Sequence, residues 1–244
     1  MTNPTAAIIL IGNELLSGSV PDLNFSHIAK QLEKNGIKTN ECRIIPDNEY
    51  SIISTVNELR KNYTYVFTTG GIGPTHDDIT TKSIAEAFNL KIERNEEIEN
   101  LFYQHYKGKV NSEMLQMADF PKGSVLIENK VTIAPGFQVE NVFCLAGVPK
   151  IMQSMLTTVI PRLSKGNEIY TRSIDALIGE STVSHALGEI QDKISGIEIG
   201  SYPFKAAEGH GTSLVVKGVK RDFVEEAYKL IKEMLNSYDA KIRK

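Results

Sequence analysis

Residues 64–81 read TYVFTTGGIGPTHDDITT. A strand-like run, YVFTT, breaks into Gly70, Gly71 and Gly73, then Pro74, then the adjacent acids Asp77 and Asp78. The segment that follows, ITTKSIAEAFNL at 79–90, has helical character, so the stretch is the joint of a strand, a bare loop and a helix. The same alternation extends back to the N-terminus. AAIILI (6–11), IKTNECRII (37–45) and the run at 65–69 read as strands, separated by NFSHIAKQLEKNG (24–36) and EYSIISTVNELRKN (49–62). In the first of these helices Phe25, Ile28, Ala29 and Leu32 fall at i, i+3, i+4 and i+7, the spacing of one apolar helix face. Continuous apolar strands joined by helices predict a parallel sheet, because parallel neighbours need crossover connections that cover both faces.

The expected fold class is therefore α/β, a three-layer, mostly parallel sheet with helices on both faces. Residues 94–118 predict further helix, split near Gly108, and SVLIEN, APGFQVEN and VFCLAG predict hairpins on the edge of the sheet. PKIMQSMLTTVIPRL (149–163) closes this first domain. The polar, Gly-containing LSKGNE at 163–168 marks the boundary, giving domains 1–165 and 166–244. The second domain reads β-α-β-β-α, a small α+β unit.

With 244 residues, 41% hydrophobic and 23% charged, the composition is that of an ordinary globular chain. A net charge of −3 argues against nucleic acid as a partner. The apolar start is too short for a membrane span and lacks the flanks of a signal peptide, which predicts a cytoplasmic protein with no membrane partner. Cys42 and Cys144 are in no metal-binding or redox spacing and are expected to be buried free thiols.

In an open parallel sheet, ligands collect outside the carboxyl ends of the strands. Three loops lie there: IGNELLSG (11–18), IIPDNE (44–49) and TTGGIGPTHDD (68–78). Gly70, Gly71 and Gly73 allow backbone N–H groups to converge on an anion without interference from Cβ atoms. Asp77 or Asp78 can cap the helix that begins near Ile79. Two carboxylates beside a phosphate repel it unless a divalent cation lies between them, which is how Mg²⁺ is held. Glu14 and Ser17 in the first loop and Asp47 in the second either join such a centre or serve as loop and capping residues. The string is neither a Walker A loop nor G-x-G-x-x-G. His76 is expected to be a solvent-exposed loop histidine.

GNELLSG, the Asp of IIPDN, TTGGIGPTHDDITT, NKVTIAPGF and GVPKIMQSML together resemble the molybdopterin-binding (MoCF) domain, in the form found in competence/damage-inducible protein A (CinA-like) proteins. The likeness covers residues 6 to about 162, and residues 169–244 resemble the small KH-like domain that follows in that family. The resemblance implies Asp78, Asp47 and Glu14 as catalytic residues, with Asp78, Asp47 and Asp77 on a divalent metal such as Mg, Mn or Co. It implies phosphate or nucleotide contacts from Thr69, Gly70, Gly71, Gly73, Pro74 and Thr75, with Ser17 and Gly136 from the flanking motifs. The implied activity is metal-dependent cleavage of the diphosphate of ADP-ribose or a related dinucleotide. Molybdopterin-nucleotide binding or adenylyl transfer, or a non-catalytic assembly role, is the alternative. A homo-oligomer, dimer or trimer, is also implied. The deamidase domain of longer members has no counterpart in these residues, so its activity is not expected. Asn13 stands where Thr or Asp is more usual, and L-A-G-V-P replaces L-P-G-V-P; both departures bear on substrate preference.

Overall fold

The computed structural model describes residues 3–243, which fall into two compact units divided between Gly166 and Asn167. The first unit opens with β1 (Thr5–Ile11), a one-turn helix α1 (Asn13–Leu16), α2 (Asn24–Glu33), β2 (Lys38–Ile45), α3 (Glu49–Asn62) and β3 (Tyr65–Thr69). It continues with α4 (Thr80–Ala87), β4 (Ile92–Arg94), α5 (Glu96–His105), α6 (Ser112–Gln116) and β5 (Asp119–Pro121). It ends with β6 (Val125–Ile127), β7 (Gly136–Val139), β8 (Val142–Leu145) and α7 (Pro149–Val159), followed by a 3₁₀ turn at Ile160–Arg162.

The main sheet runs β2-β1-β3-β8-β7-β6. Its first four strands are parallel, and β7 lies antiparallel to both β8 and β6, so the sheet is mixed. β1 shows why it is covered on both faces. Ala7, Ile9 and Ile11 pack with Ile52 and Val56 of α3, Ile84 of α4 and Phe102 of α5. Ala6, Ile8 and Leu10 pack with Ile28 and Leu32 of α2 and with Met152 and Leu156 of α7. Each large side chain so buried contributes about 1.5–3 kcal/mol, so neither layer is dispensable.

Three features differ from the expectation. The VFCLAG segment forms an interior strand: β8 pairs in parallel with β3, and only β6 and β7 extend toward the edge. The helical excursion 96–116 is closed at its base by a two-stranded ribbon, β4 with β5. Arg94 holds that ribbon through ion pairs to Glu99, five residues on, and to Asp119, 25 residues on and too distant in sequence for periodicity to reveal. Cys42 is exposed, because β2 is the edge strand and alternates outward there, whereas Cys144 is buried in β8. Burial pushes the Cys144 thiol up to about 12.

The second unit comprises β9 (Tyr170–Leu177), α8 (Glu180–Lys193), β10 (Ile197–Ala206), β11 (Gly209–Gly218), α9 (Arg221–Ser237) and a short β12 (Lys241–Ile242) missed in the sequence reading. Its antiparallel sheet, β10-β11-β9-β12, has the order of a split βαβ unit. Val183, Leu187 and Ile190 of α8 and Val224, Ile231 and Leu235 of α9 bury one face against Ile174, Leu214 and Val216. The G-x-x-G spacing by which KH modules clamp nucleic acid does not occur in residues 167–244.

Candidate functional site

β1, β2 and β3 are parallel neighbours, so the loops after them emerge at the same sheet edge. Two side chains then organise those loops. Asn48, not Asp47, caps α3, its side chain accepting the Ser51 N–H at 2.8 Å. Asp47 is thereby free to reach the first loop, where its Oδ2 accepts the Asn13 N–H at 2.8 Å. In the third loop Asp78 accepts the Thr75 N–H at 2.8 Å, and the Thr75 hydroxyl is within hydrogen-bonding distance of both Asp78 (2.5 Å) and Asp77 (2.6 Å). Neither aspartate caps α4; the residue preceding that helix is Ile79, and it makes no side-chain cap bond. The first turn of α4 is held by Thr80 instead. Its N–H donates to the Gly71 carbonyl at 2.8 Å and its hydroxyl to the Gly70 carbonyl at 3.0 Å.

The glycines answer to the chain itself more than to a ligand. A Cβ on Gly70 would lie 2.2 Å from the Ile11 carbonyl oxygen, one on Gly71 2.1 Å from the Thr80 hydroxyl, and one on Gly73 2.6 Å from Asp78 Oδ2. Gly70 and Gly71 also sit at φ of 105° and 70°, which L side chains rarely adopt. A Cβ at any of the three positions would therefore intrude on the loop itself. The bare backbone nonetheless leaves the N–H groups of Gly71, Ile72 and Gly73 without a protein acceptor among the described residues.

These loops form one side of a cavity of about 560 Å³. Glu14, Asp47, Asp77 and Asp78 all line it, as do Gly70, Gly71, Gly73, Pro74 and Thr75, and among the described residues no Lys, Arg or His does. Burial, only partly offset by the Asn13 N–H, raises the Asp47 carboxyl above its ordinary range, and the charges of Glu14, Asp77 and Asp78 add to the rise. Asp77 is held below its ordinary range, chiefly by the Thr75 hydroxyl. His76 is almost fully exposed and lies 3.9 Å from Asp77, outside the lining. Among the described residues no group of three or more His, Cys, Asp or Glu side chains is gathered as a complete metal cage. A Mg²⁺-type ion does not need one, since it keeps waters and binds through one or two carboxylates plus substrate oxygens. Four acids lining one cavity without a basic counterpart fit such an ion.

A family model described as a probable molybdopterin binding domain matches residues 7–165. A putative competence-damage inducible protein of Caldicellulosiruptor saccharolyticus is 30% identical over 96% of this chain and 60% of its own. The crystal structure of CinA from Thermoplasma acidophilum, of unknown function, superposes with a TM-score of 0.62 at 27% identity, covering 66% of this chain and 99% of that one. The chain belongs to the CinA-like family of molybdopterin-binding-domain proteins. A second model, the middle domain of FAD synthase, matches residues 168–241 of this CinA-like chain. A probable FAD synthase of Caenorhabditis briggsae is 28% identical over 95% of it and 49% of its own length. The chain thus spans roughly half to three-fifths of these two relatives.

Three residues implied by the CinA-like motifs lie outside the cavity lining. Thr69 is buried in β3, where its hydroxyl accepts from the Asn24 amide at 3.1 Å. Ser17 is exposed at the end of α1 and donates to the Glu14 carbonyl at 3.1 Å. Gly136 is bare because a Cβ there would lie 2.4 Å from the Cys144 carbonyl oxygen, so it serves strand packing. Other residues of the CinA-like chain were missed as site elements. Asn24 reaches from α2 to Thr69 and to the Gly147 carbonyl at 2.7 Å. Phe102 and Tyr106 of the helical excursion, Met117 just after it and the loop Thr132–Pro135 add to the wall. Only the i, i+4 spacing of Phe102 and Tyr106 hinted at this, and it reads equally as a core-facing helix stripe.

Proposed function

We propose that this CinA-like chain binds a nucleotide diphosphate in the 560 Å³ cavity together with a divalent cation and hydrolyses the diphosphate, ADP-ribose or a related dinucleotide being the substrate. One observation carries the reading: Glu14, Asp47, Asp77 and Asp78 line a cavity in which, among the described residues, no basic side chain balances them. An anionic ligand can enter such a cavity only with a cation.

Asp47 and Asp78 are the residues that would hold the cation, with Asp77 beside them. A divalent ion in that place supplies charge neutralisation, polarisation of phosphoryl oxygens and a lowered pKa for bound water. Asp78 is presented by the two bonds from Thr75, and Asp47 by the Asn13 N–H. The unengaged N–H groups of Gly71, Ile72 and Gly73 are available to a phosphoryl oxygen, where fixed donors stabilise developing charge. Glu14, which also lines the cavity, would orient water or a ribose hydroxyl.

A second reading, nucleotidyl or adenylyl transfer to a pterin- or flavin-type acceptor, is favoured by the FAD synthase middle-domain match over residues 168–241. One assay separates them. With Mg²⁺, Mn²⁺ or Co²⁺, hydrolysis releases AMP from ADP-ribose, FAD or NAD and stops in EDTA. Transfer instead requires ATP plus an acceptor and releases pyrophosphate. Release of pyrophosphate with no AMP from any dinucleotide would reject the hydrolase.

A further inference from the structure

The charges of the cavity are confined to one stretch of sequence. Glu14, Asp47, Asp77 and Asp78 all precede α4, and the lining residues from Phe102 to Met155 carry no ionisable acid or base other than the Tyr106 phenol. One part of the cavity suits a cation and phosphates, and the rest suits an uncharged body.

Tyr106 is the residue in that second part with an aromatic face and access to water. Tyr106 is 38% exposed as a residue, whereas Phe102, the other aromatic in the lining, is fully buried. Phe102 and Tyr106 stack with an interplanar angle of 9° and centroids 6.1 Å apart, and His105 meets Tyr106 edge-on at 4.8 Å. The ring is thus held by two neighbours on α5, the helix it follows. Across residues 129–134 the polar groups are largely spent on one another. The Asn129 side chain accepts from the Val131 and Thr132 N–H groups and donates to the Ala134 carbonyl at 2.9 Å. The Ala134 N–H donates to the Thr132 hydroxyl at 2.9 Å, and Pro135 has no N–H to offer. This wall has shape and apolar surface but few donors with which to read the edge of a base.

We propose that the cavity holds the planar ring of a nucleotide against Tyr106 by stacking and apolar contact, so that a ring is required while its identity matters little. The proposal rests on the reading of the cavity as a nucleotide-diphosphate site and names the class of substrate it takes. Stacking tolerates any base because every base has a π-face, and the thioether of Met117 in the same wall adapts to rings of different outline.

The test is equilibrium calorimetry on the whole chain with Mg²⁺, titrating AMP, GMP and ribose 5-phosphate into wild type, Tyr106→Leu and Tyr106→Phe. None of these ligands has a diphosphate to cleave, so the outcome is independent of turnover. Failure of the hydrolase reading would appear separately, as absence of AMP from ADP-ribose. AMP and GMP are expected to bind within about threefold of each other and at least about tenfold more tightly than ribose 5-phosphate. Tyr106→Leu is expected to remove that advantage while leaving ribose 5-phosphate unchanged, and Tyr106→Phe to retain it. Circular dichroism checks that each variant is folded. Equal binding of AMP and ribose 5-phosphate, a preference above about tenfold between AMP and GMP, or an unaltered Tyr106→Leu profile would overturn the proposal.

Discussion

The Asp47 carboxylate accepts the backbone N–H of Asn13 at 2.8 Å, and this bond ties the loop after β2 to the loop after β1. Glu14, the next residue, is thereby carried to the same cavity as Asp47. Asp47→Asn keeps an acceptor for Asn13 but loses the charge. It is expected to unfold in urea within about 0.5 kcal/mol of wild type, as a substitution that preserves the bond should. Its metal-dependent AMP release is expected to fall by about a hundredfold or more. Asp47→Ala also loses the bond, and about 1–2 kcal/mol of stability should go with it. Normal turnover by Asp47→Asn at limiting metal would remove Asp47 from the centre.

Gly71 and Gly73 should respond differently to the same change. Alanine at Gly71 meets Thr80 and a φ of 70°, so Gly71→Ala is expected to cost about 1–3 kcal/mol in urea unfolding. Gly73 is not at a positive φ, and the three atoms its Cβ would meet first, at 2.6–3.2 Å, all belong to the Asp78 carboxylate. Gly73→Ala is therefore expected to be nearly as stable as wild type, yet to lose turnover to the same degree as Asp78→Asn. A variant that is unstable but fully active when folded would show that the loop does not position Asp78.

Glu41 supplies a pH test away from the cavity. Its carboxyl is held below its ordinary range first by the Tyr63 hydroxyl, at 2.7 Å, and then by Arg43. A carboxyl depressed in the folded state adds stability that is present above its unfolded pKa and is lost as pH falls through the folded value. Tyr63 has the opposite sense: its phenol is raised, so its share is present below the unfolded value and is lost as pH rises through the folded one. Tyr63→Phe removes the phenol's share and the part of Glu41's that the Tyr63 hydroxyl supplies, leaving the part due to Arg43. Urea midpoints across pH 2–12 are expected to show smaller losses at both the acid and alkaline ends than wild type. An unchanged profile would mean the pair is solvent-separated.

The cavity draws all its lining residues from the stretch between Ile11 and Met155. A fragment ending at residue 166 is expected to fold alone and to keep nucleotide binding within about threefold. Ending it earlier would remove Gly166, whose N–H donates to the Asn35 carbonyl at 3.0 Å. Calorimetry with AMP and circular dichroism check both points, and a folded fragment that binds nothing would count against the cavity as the site.

Some of this architecture follows from the residues in order. The strand and helix alternation through residue 90 was legible because each element carries its own period, with β1 apolar on both faces and α2 apolar on one. The glycine-rich loop was legible as a special backbone, since glycine adopts positive φ such as that of Gly70 and Gly71 at far less cost than other residues. The ribbon of β4 and β5 was not, because three-residue strands separated by 24 residues become strands only by pairing.

The sequence by itself determined that a parallel sheet would present acids and a glycine-rich loop at one edge. Each of those signals is local, a matter of side-chain period and backbone freedom. Only the tertiary structure decided what the glycines face, that Asn48 caps α3 and frees Asp47, and that Thr80 and not an aspartate laces the start of α4. It alone placed Tyr106 in the wall of a cavity whose acids lie as far as 92 positions before it, at Glu14. Such contacts depend on the register of β1, β2 and β3 and on side chains brought together from distant segments, and no local propensity encodes the distance between two loops.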